Sequence, residues 1–167
     1  MLCKEIGCRA KHRIVTGGET RFHSVRNGLK VIRKEIGEGA ENVWVAVHDG
    51  VRPFVSTEVI TACFDQARIT GAVVPALPVV DSLREVGPEG KSKPVDRSCY
   101  YAVHTPQVFR ADLLLRAYTQ DYSPLFTDDA SVVEAMNIPV DIVPSNRENI
   151  KITTPLDLVI AKALLGE

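Results

Sequence analysis

The sequence lacks a long apolar run and has almost no net charge. Its 167 residues carry 20 Lys and Arg against 21 Asp and Glu, a formal net charge of −1. A chain this balanced attracts neither nucleic acid nor an acidic membrane through a global field, so any anion site must be local. No stretch has the character of a membrane span or a secretory leader. We therefore expect a cytoplasmic protein that binds neither nucleic acid nor membranes.

Cysteine is scarce, and its spacing does not fit a metal site. The four cysteines, at positions 3, 8, 63 and 99, include no C-x-x-C pair, and no histidine follows at zinc-finger spacing. This argues against a structural zinc site. The apolar fraction of 45% and the charged fraction of 25% are those of an ordinary globular protein. The length predicts a single domain over residues 1–167.

The rest of the chain is organised around an apolar run at residues 43–47, which leads into Asp49, Gly50 and Arg52. An uninterrupted, largely β-branched run predicts a strand covered on both faces, as in a parallel sheet. Ligands of open α/β sheets bind beyond the carboxyl ends of strands. A carboxylate and a guanidinium at such an end can hold a metal ion and an anion. They could equally form a turn in which Asp49 pairs with Arg52.

Alternation of apolar strands with amphipathic helices predicts a mostly parallel α/β sheet. The strands are predicted at residues 12–16, 43–47, 72–77, 100–104, 140–143 and 150–152. The helices are predicted at 24–36, from Ser56 or Thr57 to 70, at 111–119, from 127–129 to about 136, and from Thr154–Pro155 onward. Residues 1–7 have the character of a helix end.

Residues 79–98 interrupt the pattern of alternating strands and helices. Two polar, extended pieces at 81–86 and 93–97 flank a turn that contains Gly87, Pro88 and Gly90. A two-stranded hairpin is marginally stable by itself. We therefore expect a protruding arm that packs on a second subunit.

Polar groups follow four of the predicted strands, at residues 17–24, 49–52, 105–107 and 149–151. In a parallel sheet these ends meet at one edge. They contribute one carboxylate suited to a metal, Asp49, several hydroxyls or backbone donors, and three cations, namely Arg21, Arg52 and Lys151. Such a set suits a phosphorylated ligand with a divalent ion.

Each of these polar groups also has a plainer interpretation. Lys151 could be a surface lysine, Thr105 could mark the end of a strand, and Arg97 could be one more charge on a solvated arm. Residues 127–129 are typical of a helix cap. His48 fits a packing role beside the strand end.

Five motifs occur in a fixed order and are more specific together than singly. They are GGETRFHSV (17–25), VHDGVRP (47–53), DR-x4-AVHTPQ (96–107), FTDDAS (126–131) and NIKIT-x-P-x-D (149–157). From residue 12 onward the chain resembles the 2-C-methyl-D-erythritol 4-phosphate cytidylyltransferase family of the non-mevalonate isoprenoid pathway. The sister family of ribitol 5-phosphate cytidylyltransferases shares most of these motifs and is the alternative.

The resemblance implies a Rossmann-like nucleotidyltransferase sheet and a reaction without a covalent enzyme intermediate. A sugar-alcohol phosphate attacks the α-phosphorus of CTP, giving a CDP-alcohol and pyrophosphate, so catalysis rests on positioning and charge neutralisation. Carried over by motif, Asp49 holds Mg²⁺, while Gly50 and Arg52 line the floor where the substrates meet. Lys151 stabilises charge in the transition state.

The resemblance also implies substrate contacts on two sides of the site. Gly18, Glu19 and Ser24 contact the cytosine and ribose. The acceptor phosphate is bound by Thr105 and Thr127, together with an arginine of the arm, Arg97, which reaches the neighbouring subunit's site. A homodimer joined through the arm follows from this arrangement.

One part of the family pattern is missing. The family opens with a strand and a glycine-rich loop that wraps the CTP triphosphate, and no such loop precedes Cys8. We therefore expect an incomplete domain that lacks the first βαβ unit. Three outcomes follow: residues 12–16 pair with residues 43–47, the amino-terminal segment swaps or stays irregular, or the sequence is an incomplete record of a larger protein. Two further hypotheses are a non-catalytic dimerising fragment and a generic phosphosugar-binding module.

The absent loop leads to a prediction about nucleotide affinity. We expect the 167-residue chain alone to bind CTP weakly, because the loop that contacts the triphosphate in the family is not encoded here. Calorimetric titration with CTP and Mg²⁺ measures this directly. Micromolar binding would contradict it.

Overall fold

A computed structural model describes residues 12–166. The helix end predicted at residues 1–7 lies outside this range. Five α-helices are present in it: α1 (Arg21–Ile36), α2 (Thr57–Thr70), α3 (Ala111–Ala117), α4 (Asp129–Glu134) and α5 (Pro155–Leu165). Within residues 12–166, no helix combines the length and the apolar character needed to cross a bilayer.

The main sheet contains five of the seven strands. They are β1 (Trp44–Val47), β2 (Ala72–Pro78), β5 (Tyr101–Val103), β6 (Gln107–Arg110) and β7 (Asp141–Pro144). The order is β1-β6-β2-β5, and β7 also pairs with β2. Helices cover both faces of the sheet. Successive residues of a strand point to opposite faces, so neighbours in β6 reach different helices. Val108 belongs to the core cluster under α2, and Phe109 belongs to the larger cluster under α1, α3 and α4.

The prediction of a mostly parallel sheet is wrong. Only the β2–β7 pair is parallel, whereas β1–β6, β2–β6 and β2–β5 are antiparallel. The cause is β6, a strand absent from the sequence prediction, which runs between β1 and β2 in the opposite direction. Strands β1, β2 and β7 still share one direction, because β1 and β2 both oppose β6. Their carboxyl ends therefore meet at one edge, where Gln107 of β6 lies opposite Val47.

Helix boundaries follow from local capping chemistry. The Ser56 side chain accepts from the Val59 N–H at the start of α2, as predicted. Helix α5 opens with a capping box formed by Thr154 and Asp157, with a proline in its first turn. Helix α1 begins earlier than predicted, at Arg21, because the Thr20 side chain caps the His23 N–H.

Two predicted strands do not form. Residues 12–16 make no ladder within the described range, and Ile14 is 83% exposed. The segment is attached to α1 only by side-chain contacts, such as the bond from Asn27 Nδ2 to the Thr16 carbonyl. Residues 150–152 are also irregular, because a single bond from the Ile152 N–H to the Val51 carbonyl replaces a ladder.

The arm is a separate two-stranded antiparallel hairpin. Strands β3 (Arg84–Val86) and β4 (Ser92–Pro94) pair with each other, and all of their residues are exposed. Among residues 12–166, neither strand pairs with the main sheet. The hairpin lies inside residues 79–98, where the sequence predicted an arm.

Two apolar surfaces are poorly covered by residues 12–166. Helix α5 buries only Ala161 among its residues, while Leu156 and Val159 are 67% and 62% exposed. Strand β1 pairs on one edge only, with β6. Its other edge keeps its amide and carbonyl groups without a described strand partner.

Two glycines lead to a stability prediction with opposite signs. Gly71 ends α2 with φ +88°, and an added Cβ would lie 2.9 Å from Leu113 Cδ1. We expect Gly71→Ala to lower the free energy of unfolding by about 1–2 kcal/mol, since L-residues resist this conformation. Gly28 lies inside α1, and a Cβ added there would meet only open space. Gly28→Ala should raise the free energy of unfolding by roughly 0.5–1 kcal/mol. Urea denaturation measures both changes. Equal shifts of the unfolding free energy in the two variants would contradict this account.

Candidate active site

The site is built around the Asp49 carboxylate, just beyond the end of β1. Lys151 Nζ lies 3.1 Å from Asp49 Oδ2, and Arg52 Nε lies 3.5 Å from the same oxygen. Arg21 Nε lies 3.7 Å from Oδ1. The three cations come from separate parts of the chain: the start of α1, the turn after β1, and the irregular segment before α5. The predicted convergence of Asp49, Arg52 and Lys151 is present.

Hydrogen bonds fix the backbone around this carboxylate. The Arg52 N–H donates to the Asp49 carbonyl at 3.0 Å and closes a turn. The Thr105 hydroxyl accepts from the Asp49 N–H at 3.0 Å and also pairs with His48 Nδ1 at 3.0 Å. His48 Nε2 in turn lies 2.9 Å from the Arg52 carbonyl. His48 therefore acts as a structural brace beside the strand end, as the sequence suggested.

A buried amide links this turn to the Lys151 segment. Asn149 is fully buried and donates from Nδ2 to the Thr105 carbonyl at 2.9 Å. The backbone carbonyl of Asn149 accepts from Arg52 Nη1 at 2.7 Å. These bonds hold the 49–52 turn, residue 105 and the 149–151 segment in fixed positions. Arg52 Nε remains buried without a hydrogen-bond partner among the described residues.

The electrostatics keep the Asp49 carboxylate ionised. Burial raises its pKa, but the hydrogen bond and charge of Lys151, together with the charges of Arg21 and Arg52, lower the pKa below its ordinary value. The Arg21 guanidinium is held charged in the same way. Burial lowers the pKa of Arg21, and its hydrogen bond and ion pair with Asp129 raise it above the usual value.

A second group of polar residues forms the wall opposite Lys151. Asp128 is the N-cap of α4, as residues 127–129 predicted, and its Oδ2 accepts from Gln107 Nε2 at 2.8 Å. Gln107 Oε1 accepts from the Asp129 and Ala130 N–H groups, each at 3.0 Å. The cleft between the two walls has a volume of about 150 Å³ and is lined by Arg21, Asp49, Arg52, Val103, His104, Thr105, Gln107, Thr127, Asp128 and Lys151.

The structure brings together some predicted site residues and leaves others apart. Thr105 and Thr127 line the cleft with Asp49, Arg52 and Lys151. Gly50 is exposed in the turn after Asp49 but does not line the cleft. Arg97 lies at the base of the arm, where its guanidinium donates to the Val80 carbonyl, and it too is outside the cleft.

The predicted nucleotide-contacting residues lie at the start of α1. Gly18 packs so closely on the helix that an added Cβ would meet His23 Cβ at 2.4 Å, so a side chain cannot be accommodated. The Ser24 hydroxyl accepts from the Gly18 N–H and donates to the Thr20 carbonyl, both at 3.0 Å. Ser24 therefore fixes the conformation of the loop that carries Glu19, and Glu19 is exposed.

No individual site role was predicted from the sequence for Gln107, Asp129 or Tyr118, although Gln107 falls in the predicted 105–107 group and Asp129 in the predicted 127–129 cap. Asp129 is fully buried and accepts from Arg21 at 2.6 Å and from the Tyr118 hydroxyl at 2.5 Å. Arg21 and Asp129 are 108 positions apart, so no local pattern connects them. The available signal was the acidic pair at 128–129, which provides one more carboxylate than a helix cap requires.

The site offers one ionised carboxylate to a metal ion rather than a cluster. Among residues 12–166, no group of three or more His, Cys, Asp or Glu side chains is arranged to hold a metal. Mg²⁺ is commonly bound through one or two carboxylates plus substrate phosphates. Asp49 fits that type of site and does not fit a site built from protein ligands alone.

Comparison with known proteins identifies the family. The family model for 2-C-methyl-D-erythritol 4-phosphate cytidylyltransferase matches residues 2–167. The chain belongs to this family. A cytidylyltransferase of this name from Bacteroides fragilis is 57% identical over 164 residues, which cover 98% of this chain and 71% of the relative. The corresponding protein of Porphyromonas gingivalis is 52% identical over 165 residues, again covering 98% of this chain and 71% of the relative.

Solved structures of family members have the same fold. The 4-diphosphocytidyl-2C-methyl-D-erythritol synthase of Anaerococcus prevotii superposes with a TM-score of 0.83 at 28% identity, covering 99% of this chain and 74% of that chain. The cytidylyltransferase of Thermus thermophilus superposes with a TM-score of 0.75 at 33% identity, covering 96% of this chain and 79% of that chain. The nucleotidyltransferase fold of the cytidylyltransferase family is thus confirmed, although the sheet is not mostly parallel.

The lowered pKa of Asp49 predicts a specific dependence of stability on pH. Its contribution is fully present above the unfolded-state pKa of about 3.9 and is lost as the pH falls through the lower folded-state value. Asp49→Asn should therefore be less stable than the parent at pH 7, because three cations lose their shared partner. The difference in unfolding free energy, measured by urea denaturation, should shrink below about pH 4. A difference that stays constant down to about pH 2.5 would contradict this.

Proposed function

We propose that this chain transfers CMP from CTP to 2-C-methyl-D-erythritol 4-phosphate, releasing pyrophosphate. The observation that carries the proposal is the convergence of Lys151, Arg52 and Arg21 on Asp49 in one cleft of a family member. A phosphate oxygen of the acceptor attacks the α-phosphorus of CTP, and the bond to the bridging oxygen of pyrophosphate breaks. Both reactants are polyanions, so the cations that now contact Asp49 can neutralise them.

The proposed roles follow from charge and position. Lys151 is proposed to stabilise the charge that develops at the α-phosphate. Its side chain is 46% exposed and lines the cleft beside Asp49. Arg52 lines the cleft, with its Nε 3.5 Å from Asp49 Oδ2, and would place its charge beside a substrate phosphate on the cleft floor. Gly50 lies in the turn between Asp49 and Arg52 but does not line the cleft, so its place in the floor stays a prediction from the resemblance.

Asp49 is the proposed ligand for Mg²⁺. The ion, when bound, neutralises phosphate charge and draws the two substrates together. The ionised state of Asp49 supports this role, because a hard divalent cation requires a deprotonated oxygen ligand. Occupation of Asp49 by a metal would release Lys151 and Arg52 from their present partner and free them for the substrate phosphates.

The nucleotide and acceptor sides are proposed to occupy different ends of the site. Gly18, Glu19 and Ser24 would contact cytosine and ribose, since the tight packing of Gly18 on α1 exposes this loop. Thr105 and Thr127 line the other end and would contact the acceptor. The Thr105 hydroxyl already accepts from the Asp49 N–H and pairs with His48 Nδ1, which limits it to one further hydrogen bond.

The arm is proposed to join two copies into a homodimer. Its strands are fully exposed, and a hairpin of this size is marginal without a partner. Arg97 lies at its base and outside the cleft of its own chain, so contact with the acceptor phosphate in a partner's site would give it a role. We also keep the prediction that the protein acts in the cytoplasm.

The test is pyrophosphate release from CTP with either methylerythritol phosphate or ribitol 5-phosphate. The assay is run at millimolar CTP, so that weak nucleotide binding does not hide the chemistry, with the B. fragilis relative as the positive control. We expect Mg²⁺-dependent release with methylerythritol phosphate only. Release with ribitol 5-phosphate at a similar rate would overturn the acceptor assignment. Silence from this chain beside an active control would overturn the proposal that it is itself catalytic.

A matched pair of lysine variants checks the assigned cation. Lys151→Met should lower the rate by roughly 10²–10³-fold, the usual cost of removing one transition-state charge partner. Lys162→Met, on the exposed surface of α5, removes the same charge away from the cleft and should leave the rate unchanged. Equal effects of the two substitutions would rule out a specific role for Lys151.

A further inference from the structure

Arg21 is anchored by a carboxylate outside the proposed reaction centre. Its terminal nitrogen lies 2.6 Å from Asp129 Oδ2, while its Nε lies 3.7 Å from Asp49, beyond hydrogen-bond distance. Asp129 is therefore its main partner. The Arg21 side chain is 34% exposed and lines the cleft. Within residues 12–166 its remaining N–H groups have no hydrogen-bond acceptor, so one side of the guanidinium is held and the other is open.

The anchor is itself held rigidly. Asp129 is fully buried, its second oxygen accepts from the Tyr118 hydroxyl at 2.5 Å, and its backbone N–H donates to Gln107. The Tyr118 ring stacks on Phe22, the neighbour of Arg21, with ring centroids 4.7 Å apart. The arginine and its anchor are thus fixed both through side chains and through the helix that carries Arg21.

This arrangement prevents Arg21 from collapsing onto Asp49. An arginine held only by Asp49 would lose its partner if that carboxylate bound a metal ion. Asp129 keeps Arg21 in place in either state. A planar guanidinium with open donors at a cleft is suited to paired hydrogen bonds with phosphate oxygens.

We propose that Arg21 binds a phosphate group of one of the substrates, and that Asp129 and Tyr118 position it. The inference rests on the proposed function, which supplies the phosphates. Pyrophosphate represents the nucleotide side, and methylerythritol phosphate represents the acceptor side. The competing explanation is a purely structural ion pair that ties α1 to α4.

A double-mutant cycle on ligand affinity separates the two explanations. Arg21→Lys, Asp129→Asn and the double variant are titrated calorimetrically with pyrophosphate and, separately, with methylerythritol phosphate. Each single substitution should weaken one of the two ligands by about tenfold, the size expected for a charge-assisted hydrogen bond. If Asp129 acts through Arg21, the double variant binds no more than about twofold weaker than Arg21→Lys alone. The ligand that responds identifies the phosphate.

The chain provides a matched control for removing a paired carboxylate. Arg110 and Asp112 form a two-bond ion pair at 2.6 and 2.9 Å outside the cleft. Asp112→Asn should leave both affinities unchanged. If Asp129→Asn does not fold, Tyr118→Phe keeps the carboxylate and removes only its hydroxyl partner. It should weaken the responding ligand by roughly threefold, and only when Arg21 is present.

The positioning role would be overturned if the two losses of ligand affinity multiplied in the double variant, or if Asp129→Asn left the affinity unchanged. Parallel measurement of CMP transfer keeps this result apart from the proposed function. Transfer without coupling between Arg21 and Asp129 refutes the present inference alone. Coupling without transfer refutes the proposed function and leaves a phosphate site used for another purpose.

Discussion

The Asp49 carboxylate connects three distant segments of the chain through charge. Arg21, Arg52 and Lys151 lie 3.1–3.7 Å from it, and the shared anion offsets the repulsion among the three cations. Desolvation opposes the ionised carboxylate, and the cations more than offset it. The same interaction stabilises the fold without substrate and gathers the positive charge that two polyanionic substrates require. The stability of this region and the proposed catalysis therefore depend on one group.

Hydrogen bonds other than the ion pairs hold this charged cluster in place. Thr105, His48 and Asn149 bind the turn after β1 and the segment before α5 through bonds of 2.9–3.0 Å. Asn149 is completely buried, so loss of its partner would leave an unsatisfied polar group, which costs about 1–3 kcal/mol. Exposed ion pairs are typically worth less than about 1 kcal/mol. The buried Thr105 and Asn149 thus hold the site in place, while its charged groups are proposed to carry the chemistry.

The sequence predicts features that depend on near neighbours and misses those that depend on distant ones. The caps at Ser56, Asp128 and Thr154 are local, and they agree with predictions of Ser56 or Thr57, of residues 127–129 and of Thr154. The strand ending near Asp49 was also predicted, because an apolar run is a local signal. The antiparallel course of β6 depends on pairing with β1 and β2, and a four-residue strand after a proline carries no direction in its composition.

The prediction of site residues also succeeds for near neighbours in sequence and fails for distant ones. Asp49, Arg52 and Lys151 were predicted because each occurs in a compact motif, whereas the Arg21–Asp129 pair joins residues 108 positions apart. Residues 12–16 show the opposite error. Their β-branched composition favours a strand, but a strand forms only by pairing, and residues 12–16 pair with none of the described strands.

Gln107 makes the connection before β6 sensitive to insertions and deletions. It is the first residue of β6, and its side chain caps the start of α4 while its neighbours Val108 and Phe109 fill the two cores. Strands β5 and β6 pair in turn with β2, separated by residues 104–106. A single insertion or deletion there would shift β6 by one position and exchange the faces of its side chains. The polar amide would enter a core and an apolar residue would face the cleft, so this short connection should tolerate substitution far better than a change in length.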